Sequence, residues 1–168
     1  MNVRTKLERG DLEKLSELER QTPMNAFIRL RYERKLDFFS FFRLEKAWRN
    51  YIVEDGGKII GYVASLDREV LFNNEKRLLS LLSTLRIHPS FRRRGVGSQF
   101  FSTWMKDMET HTCALEVFYF LKGNKPVIRA IKNTSHDMLK SLKRYPTGAL
   151  NLIFTNSLQS GITPSRGL

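Results

Sequence analysis

The chain has 168 residues, of which 41% are hydrophobic and 27% are charged, and a net charge of +12, which is typical of one soluble basic domain. Its single cysteine, Cys113, excludes an internal disulfide and argues against a cysteine-rich zinc site, so we expect a reduced, cytoplasmic protein. No apolar run is long enough to predict a membrane span, and residues 1–10 lack the apolar stretch of a secretory signal.

The first 48 residues predict a short strand followed by two helices. Residues 3–8 alternate weakly in polarity, as a strand does. A Gly-Asp cap then precedes a helix with three leucines at three-residue spacing: Leu12, Leu15 and Leu18. Residues 25–48 combine apolar and basic side chains at helical spacing and predict a second helix. Within it, the aromatic run 38–42 favours core packing over the alternative, a wall of an acceptor pocket.

The middle of the chain predicts three strands. Residues 50–54 and 58–66 are strand-like and flank the sequence Asp-Gly-Gly, a strong signal for a short hairpin turn. Residues 67–77 are polar and predict a connecting loop. Residues 78–87 form a long apolar stretch that ends before a His-Pro pair, which is typical of a buried central strand.

Helices and strands continue to alternate beyond the buried strand. After a basic loop, six apolar residues trace one face of a helix: Val96, Phe100, Phe101, Trp104, Met105 and Met108. Residues 114–120 predict a strand, residues 126–133 and 136–144 two helices, and residues 149–155 a last strand. The fold class is therefore α/β or α+β.

Positive charge is concentrated in the second half of the chain. Residues 1–84 carry 16 Lys and Arg against 13 Asp and Glu, whereas residues 85–168 carry 13 against 4. This half is expected to bind an anion: a nucleotide diphosphate, a nucleic acid or an acidic protein. The alternative is that these residues only keep the surface soluble.

Residues 85–98 combine the features of a diphosphate-binding loop. They join the buried strand to the next helix through three consecutive arginines and two glycines. Glycines let a backbone approach a ligand closely, and the first turn of a helix presents unpaired N–H groups where the helix dipole favours an anion. An isolated arginine triplet would instead indicate a nucleic-acid or nuclear-localisation patch, but the Gly-x-Gly sequence and the helix favour the diphosphate.

This segment resembles the acetyl-coenzyme A signature of the GNAT superfamily of N-acetyltransferases. The signature is Arg or Gln, two residues, Gly, one residue, then Gly or Ala, after a strand that ends in apolar-x-Pro. Arg92, Gly95 and Gly97 match the signature, and Ile87 and Pro89 match the strand end. The surrounding elements also follow the order of the family, so the resemblance covers roughly residues 3–120.

The resemblance implies a fold and a domain. The fold is a mixed, mostly antiparallel central sheet of about six strands flanked by helices, and the domain spans residues 1–156 with an atypical C-terminal third. Residues 157–168 contain few large apolar side chains and are expected to be a flexible tail.

The resemblance also implies acetyl-coenzyme A as co-substrate. Its pyrophosphate is expected on the loop, at Arg92, Arg93, Arg94, Gly95, Val96, Gly97 and Ser98. The strand residues expected beside its pantetheine arm are Leu85, Arg86 and Ile87. Asn124 matches an asparagine that many members have after the fifth strand. The reaction implied is direct attack of a neutral amine on the thioester, with a backbone N–H stabilising the developing oxyanion.

The catalytic acid and base are less well defined. The family often has a carboxylate base near the central strand, but residues 78–87 contain none. The candidates are Glu116, which is otherwise a solvated edge carboxylate, and His88, which is otherwise an ordinary strand-end residue. Tyr119 is the candidate acid, with Tyr145 as the other nearby phenol, because Ile131 occupies the position of the family's tyrosine. Either phenol is otherwise a packed aromatic.

Several alternatives stay open. The chain is either an N-acetyltransferase acting on a small amine, a protein N-terminus or a lysine, or a non-catalytic coenzyme A sensor or nucleic-acid-binding module. Phosphate contacts in that module would come from Lys122, Lys125, Arg129, Lys132, Lys140, Lys143 and Arg144. A third possibility is that the chain is one part of a larger acetyltransferase. A homodimer is compatible with the sequence, and no metal site is expected because the histidines have no companion ligands.

Overall fold

The computed structural model describes residues 3–25, 29–30, 38–111, 115–118 and 124–133. In chain order the elements are β1 (Val3–Arg4), α1 (Asp11–Gln21), β2 (Met24–Asn25), β3 (Arg29–Leu30), a 3-10 helix (Phe42–Leu44), β4 (Ala47–Asp55), β5 (Lys58–Phe72), β6 (Glu75–Ile87), a second 3-10 helix (Pro89–Phe91), α2 (Val96–Thr110), β7 (Leu115–Phe118) and α3 (Lys125–Lys132).

Five of these strands form the central sheet, in the order β1-β4-β5-β6-β7. The first three pairings are antiparallel, and β6 pairs in parallel with β7. Strands β2 and β3 form a separate antiparallel pair. The predicted mixed, mostly antiparallel sheet flanked by helices is therefore confirmed, with five strands of the sheet inside the described residues.

Two tight turns join the three longest strands. Gly56 and Gly57, at φ 55° and 74°, connect β4 to β5, which confirms the predicted hairpin. Asn73 and Asn74, at φ 52° and 61°, connect β5 to β6 in the same way. The loop predicted at 67–77 is therefore wrong. Asparagine tolerates the left-handed conformation, so the Asn-Asn pair makes a two-residue turn and the polar residues around it extend both strands.

Each face of the sheet carries its own hydrophobic layer. On one face, Leu15 and Leu18 of α1 pack with a cluster of aromatic side chains and with β5. On the other face, α2 packs with apolar residues of β4, β5 and β6. The third leucine predicted to lie on the buried face of α1, Leu12, is 48% exposed, so the prediction is wrong for this residue.

The long helix predicted at 25–48 is wrong for the part of that segment that the structure describes. Residues 29–30 form β3, residues 38–41 form a turn, and β4 begins at Ala47. Packing explains the difference: Phe38 makes an edge contact with Tyr62, and Phe39 stacks on Trp48. The predicted core role of the aromatic run is confirmed for Phe38, Phe39 and Phe42, which are buried, whereas Phe41 is 47% exposed.

Helix α2 forms as predicted, and all six residues of its predicted apolar face are buried. It packs closely on β5 because Gly61 has no side chain. A Cβ atom at Gly61 would lie 2.9 Å from the ring of Phe100 and 3.1 Å from Val96. The glycine therefore brings the start of α2 against the centre of the sheet.

The other end of α2 meets a buried polar cluster centred on Arg49 of β4. Its guanidinium donates to Asp67 at 3.1 and 3.3 Å. It also donates to the hydroxyls of Ser65 and Ser80, at 3.0 and 3.1 Å. Its Nε lies 3.1 Å from Asp107 of α2. This cluster ties three strands to the last turns of α2.

Several sequence predictions lie outside the described residues: the helix at 136–144, the strand at 149–155 and the tail at 157–168. Among the described residues, no helix has the length and apolar character needed to cross a membrane.

Candidate functional site

The loop between β6 and α2 presents an open helix N-terminus. Gly95 is the N-cap, at φ 85°, and no side chain caps the helix. Arg93, two residues earlier, is also left-handed, at φ 65°. Alternation of left-handed and right-handed residues turns successive N–H groups toward one side, which is how backbone anion sites form. A Cβ atom at Gly95 would meet nothing within 4 Å, so the space on that side of Gly95 is open.

Gly97 and Ser98 are placed differently from Gly95. A Cβ atom at Gly97 would lie 3.0 Å from the Cβ of Ala130, and the Ser98 hydroxyl donates to the Ala130 carbonyl at 3.2 Å. Gly97 therefore allows α3 to approach the first turn of α2. Asn124 accepts a hydrogen bond from the Val127 N–H at 3.3 Å and caps α3. Contact of these residues with a ligand stays a prediction.

The three arginines of the loop are exposed but not equivalent. Arg92 donates from Nε to the Ile87 carbonyl at 3.2 Å, which ties the loop back to the end of β6. The Arg94 guanidinium lies 5.3 Å from the centre of the Phe91 ring, a cation–π contact. Both arrangements hold positive charge beside the open N-terminus of α2, where it adds to the helix dipole.

Strand β6 contains a β-bulge at the position expected beside the pantetheine arm. Thr84 and Leu85 together oppose Val63 of β5, and Thr84 has a φ of 56°. A β-branched residue is strained in that conformation, and such strain is concentrated at functional sites. After the bulge, Leu85 and Ile87 pack against the layer of α2, whereas Arg86 contacts α1 on the opposite face.

The parallel pairing of β6 with β7 is described as far as Leu82 and Phe118. The bulge begins two residues further along β6. Residues 119–123 lie outside the described residues, and Tyr119, the predicted acid, lies among them.

The two predicted bases are not brought together. The backbone of Glu116 pairs with Ser80, four residues before the bulge, whereas His88 lies four residues after it. At about 3.3 Å per strand residue, Ser80 and His88 are each about 13 Å from Thr84 along the chain. The side chain of Glu116 lies outside the description. The catalytic roles of both residues stay predictions.

His88 has the contacts of a strand-end residue. Its N–H donates to the Ile60 carbonyl at 2.8 Å, and its Nδ1 accepts from the Ser90 N–H at 3.3 Å. Its Nε2 lies 3.4 Å from the Lys58 ammonium. Burial, then the charges of Lys58 and Arg92, lower the pKa of His88 from its ordinary value of 6.5.

We expect a Lys58→Gln variant to raise the pKa of His88, since one of the two positive charges is removed. The lowered pKa of His88 also makes folding stability depend on pH. Because the folded pKa is the lower one, the unfolded chain binds the proton first, and the folded state loses stability as the pH falls below 6.5 toward the folded pKa. NMR titration of the imidazole in both proteins measures the effect. An identical pKa in the two proteins would contradict it.

The sequence analysis did not predict the buried carboxylate of α1. Glu19 of α1 is 5% exposed, and its Oε1 lies 3.8 Å from the Arg86 Nη2. A signal for it existed, because Glu19 follows Leu15 by four residues and therefore lies on the buried face of the helix.

Comparison with known proteins assigns the chain to a family. Residues 12–133 match the model of the acetyltransferase (GNAT) family. No curated protein sequence matches the chain.

Solved structures have the same fold at low sequence identity. A transcriptional regulator from Bacillus halodurans C-125 is 18% identical, with a TM-score of 0.65 over 91% of this chain and 99% of its own. AAC(6')-Iy, in complex with the bisubstrate analogue CoA-S-monomethyl-acetylneamine, is 16% identical, with a TM-score of 0.57 over 88% and 98%. The ribosomal-protein-S18-alanine N-acetyltransferase from Escherichia coli is 16% identical, with a TM-score of 0.57 over 80% and 76%.

The family model covers most of the chain, and the solved structures share its sheet and helix order. The resemblance inferred from the loop motif is therefore confirmed: the chain belongs to the acetyltransferase (GNAT) family.

Proposed function

We propose that the protein is an N-acetyltransferase that moves an acetyl group from acetyl-coenzyme A to a primary amine. The observation that carries this proposal is the open N-terminus of α2, with left-handed Arg93 and Gly95 before it and three exposed arginines around it. N–H groups, helix dipole and arginine charge all favour a diphosphate at this point.

The residues of β6 that precede the loop fit the pantetheine arm of acetyl-coenzyme A. The pantetheine arm would run along Leu85, Arg86 and Ile87, away from the loop and toward the bulge. A bulge leaves backbone groups of its strand outside the ladder. The N–H of Leu85, next to Thr84, is therefore the donor we propose for the thioester oxygen, where negative charge develops during attack.

The acceptor is proposed only as a class of amine, whereas the co-substrate is proposed as one compound. Two structures of the same fold are named for their acceptors: the aminoglycoside N-acetyltransferase AAC(6')-Iy and the ribosomal-protein-S18-alanine N-acetyltransferase. This chain carries a net charge of +12, which repels polyamines and basic peptides in solution. We therefore propose that the acceptor is either the N-terminus of an acidic protein or a small amine. We also propose that the enzyme is cytoplasmic.

Calorimetric titration with acetyl-coenzyme A tests the proposal. We expect micromolar binding by the natural protein. In an Arg93→Gln/Arg94→Gln variant we expect binding about 10-fold weaker or more, because a hydrogen bond to a charged group contributes about 1.5–3 kcal/mol. These side chains are exposed, so the variant should keep its fold.

The matched control is Lys6→Gln/Arg9→Gln, which removes the same net charge from exposed residues far from the loop in sequence. It should bind as tightly as the natural protein. Equal weakening in both variants would mean that only net charge attracts the nucleotide. No binding by the natural protein would overturn the proposal and direct attention to nucleic acid, tested by the salt dependence of binding.

After binding is shown, a screen of amines by release of the free thiol of coenzyme A identifies acceptors. Release that depends on both the amine and the protein supports acetyl transfer. Binding without release for any amine, hydroxylamine included, would support a coenzyme A sensor instead.

A further inference from the structure

We propose that Lys58, His88 and Arg92 form an anion site, separate from the N-terminus of α2, that binds a phosphate monoester. Two sources supply this chemistry: the 3'-phosphate that coenzyme A carries on its ribose, and a free phosphate ion. The site itself goes beyond the proposed function, and only the first source rests on that function.

The three side chains come from different elements that meet beside the loop. Lys58 is the first residue of β5, His88 follows the last residue of β6, and Arg92 follows the second 3-10 helix. Because β5 and β6 are antiparallel, the start of one strand lies beside the end of the other. Lys58 and Arg92 are exposed and His88 is partly exposed, so a ligand reaches all three from solvent.

The hydrogen bonds of the His88 imidazole leave two donors facing each other. The Ser90 N–H donates to Nδ1 at 3.3 Å, so we assign the proton of the neutral ring to Nε2. Nε2 lies 3.4 Å from the Lys58 ammonium, which is also a donor and has no lone pair. This contact is therefore not a hydrogen bond. An oxygen atom that lies beside both groups can accept from each of them.

The charges at the site are positive. The pKa of His88 is lowered first by burial and then by the charges of Lys58 and Arg92. Within the described ranges, no carboxylate forms an ion pair with any of the three side chains. The Arg92 Nε donates to the Ile87 carbonyl at 3.2 Å, which leaves its terminal nitrogens for a ligand. A dianionic phosphate monoester balances the two permanent charges, whereas a carboxylate balances one.

A groove on the other side of Lys58 contains two carboxylates that could compete for its ammonium. Lys58 lines this groove together with Glu13 and Glu17 of α1. The Glu17 carboxylate already contacts Arg20 and Gln21, at 2.5 Å each. The ammonium lies at the imidazole rather than at either carboxylate in this part of the described chain. Lys58 is therefore available to an external anion.

The imidazole keeps its orientation without a ligand. The Ser90 N–H holds one edge of the ring, and Phe91 makes an edge contact with it, at 5.8 Å between ring centres. A group that is already oriented loses less entropy when it binds. Arg92 is also only three residues before Gly95, and one ribose separates the 3'-phosphate of coenzyme A from its diphosphate. One molecule can therefore supply both anions.

The first experiment is calorimetry in phosphate-free buffer with acetyl-coenzyme A and its 3'-dephospho form. Loss of the 3'-phosphate should weaken binding to the natural protein about 10-fold or more, because hydrogen bonds between charged groups are lost. In Lys58→Gln the two compounds should bind within about 3-fold of each other, since the substitution and the ligand change remove the same contact. Lys58→Arg keeps the charge and should restore the preference.

The matched control is Lys76→Gln, which removes the same charge from the other end of the β5–β6 hairpin. Lys76 is 75% exposed and pairs with Glu69 at 3.0 Å. It lies opposite Leu71, about 40 Å from Lys58 along β5. This variant should keep the natural preference for the 3'-phosphate. Thermal unfolding of each variant checks that the fold is intact.

The second experiment is NMR titration of the His88 imidazole with inorganic phosphate, without a nucleotide. A bound dianion favours the charged imidazole, so phosphate should shift the ring resonances saturably and raise the pKa of His88. The response should be absent from Lys58→Gln and normal in Lys76→Gln.

The two experiments together distinguish the sources and the failures. A 3'-phosphate preference that depends on Lys58 assigns the site to the co-substrate. Equal binding of both nucleotides, with a Lys58-dependent response to inorganic phosphate, assigns it to a free phosphate. Equal binding without that response, or a preference lost equally in Lys76→Gln, overturns the site and leaves coenzyme A binding at α2 standing. A response to phosphate without binding of either nucleotide keeps the site and overturns the proposed function.

Discussion

An Arg49→Leu variant is expected to lose about 3–5 kcal/mol of unfolding free energy, because it leaves buried acceptors without their donor. The Asp67 side chain is 4% exposed and accepts two hydrogen bonds from Arg49. After the substitution it keeps the His111 imidazole at 3.2 Å, while the Ser65 and Ser80 hydroxyls lose Arg49. Urea unfolding of the two proteins measures the difference.

The control for this prediction is Arg20→Leu. Arg20 pairs with Glu17 at 2.5 Å, but both side chains are largely exposed, and such pairs contribute about 0–1 kcal/mol. A second variant, Arg49→Leu with Asp67→Asn, should be less destabilised than Arg49→Leu alone, since it does not leave an unpaired charge in the core. A double variant that is less stable than the single one would contradict the account.

A Phe100→Ala variant is expected to lose a similar amount, about 3–5 kcal/mol, since a large buried ring is replaced by a cavity. Phe100 is 1% exposed and belongs to the layer between α2 and the sheet. Phe72→Ala is the matched control. Phe72 is 48% exposed at the β5–β6 turn, so its loss should change stability by about 0.5 kcal/mol or less.

Because the Phe100 ring contacts Gly61, we expect substitutions at these two positions to be energetically coupled. A Gly61→Ala variant places a methyl group 2.9 Å from the Phe100 ring and should lose about 1–3 kcal/mol. In the Phe100→Ala background the methyl group has room, so the same substitution should cost little. A double-mutant cycle in urea measures the coupling. Additive effects would mean that the ring moves aside freely and that the close contact does not hold α2 in place.

Local patterns predicted those parts of the fold that local chemistry determines. The apolar face of α2 repeats with helical period, and Asp-Gly-Gly demands a tight turn, so the structure agrees with both. The segment 25–48 failed because its spacing was helical while its aromatic side chains pack as a turn against Trp48 and Tyr62, which lie elsewhere in the sequence. Such contacts override helical spacing and cannot be read from one segment.

In the candidate site, too, features set by neighbouring residues were predicted from the sequence, and features set by distant contacts were not. The loop motif predicted the open N-terminus of α2, because Gly95 and the helix start are neighbours in sequence. The separate tasks of Gly95 and Gly97 could not be distinguished, since one depends on a dihedral angle and the other on Ala130 of α3. Glu19 and Arg86 are 67 positions apart, and only the fold brings them together.

The bulge at Thr84 also decides where β6 tolerates a change in length. Residues on either side of it keep strict alternation between the two layers, and Thr84 is the one extra residue between them. A deletion of Thr84 leaves every other side chain of β6 on its own face. A deletion elsewhere within the strand sends the residues on one side of it into the opposite layer. We therefore expect a deletion of Thr84 to disturb the packing of the two layers less than a deletion elsewhere in this strand.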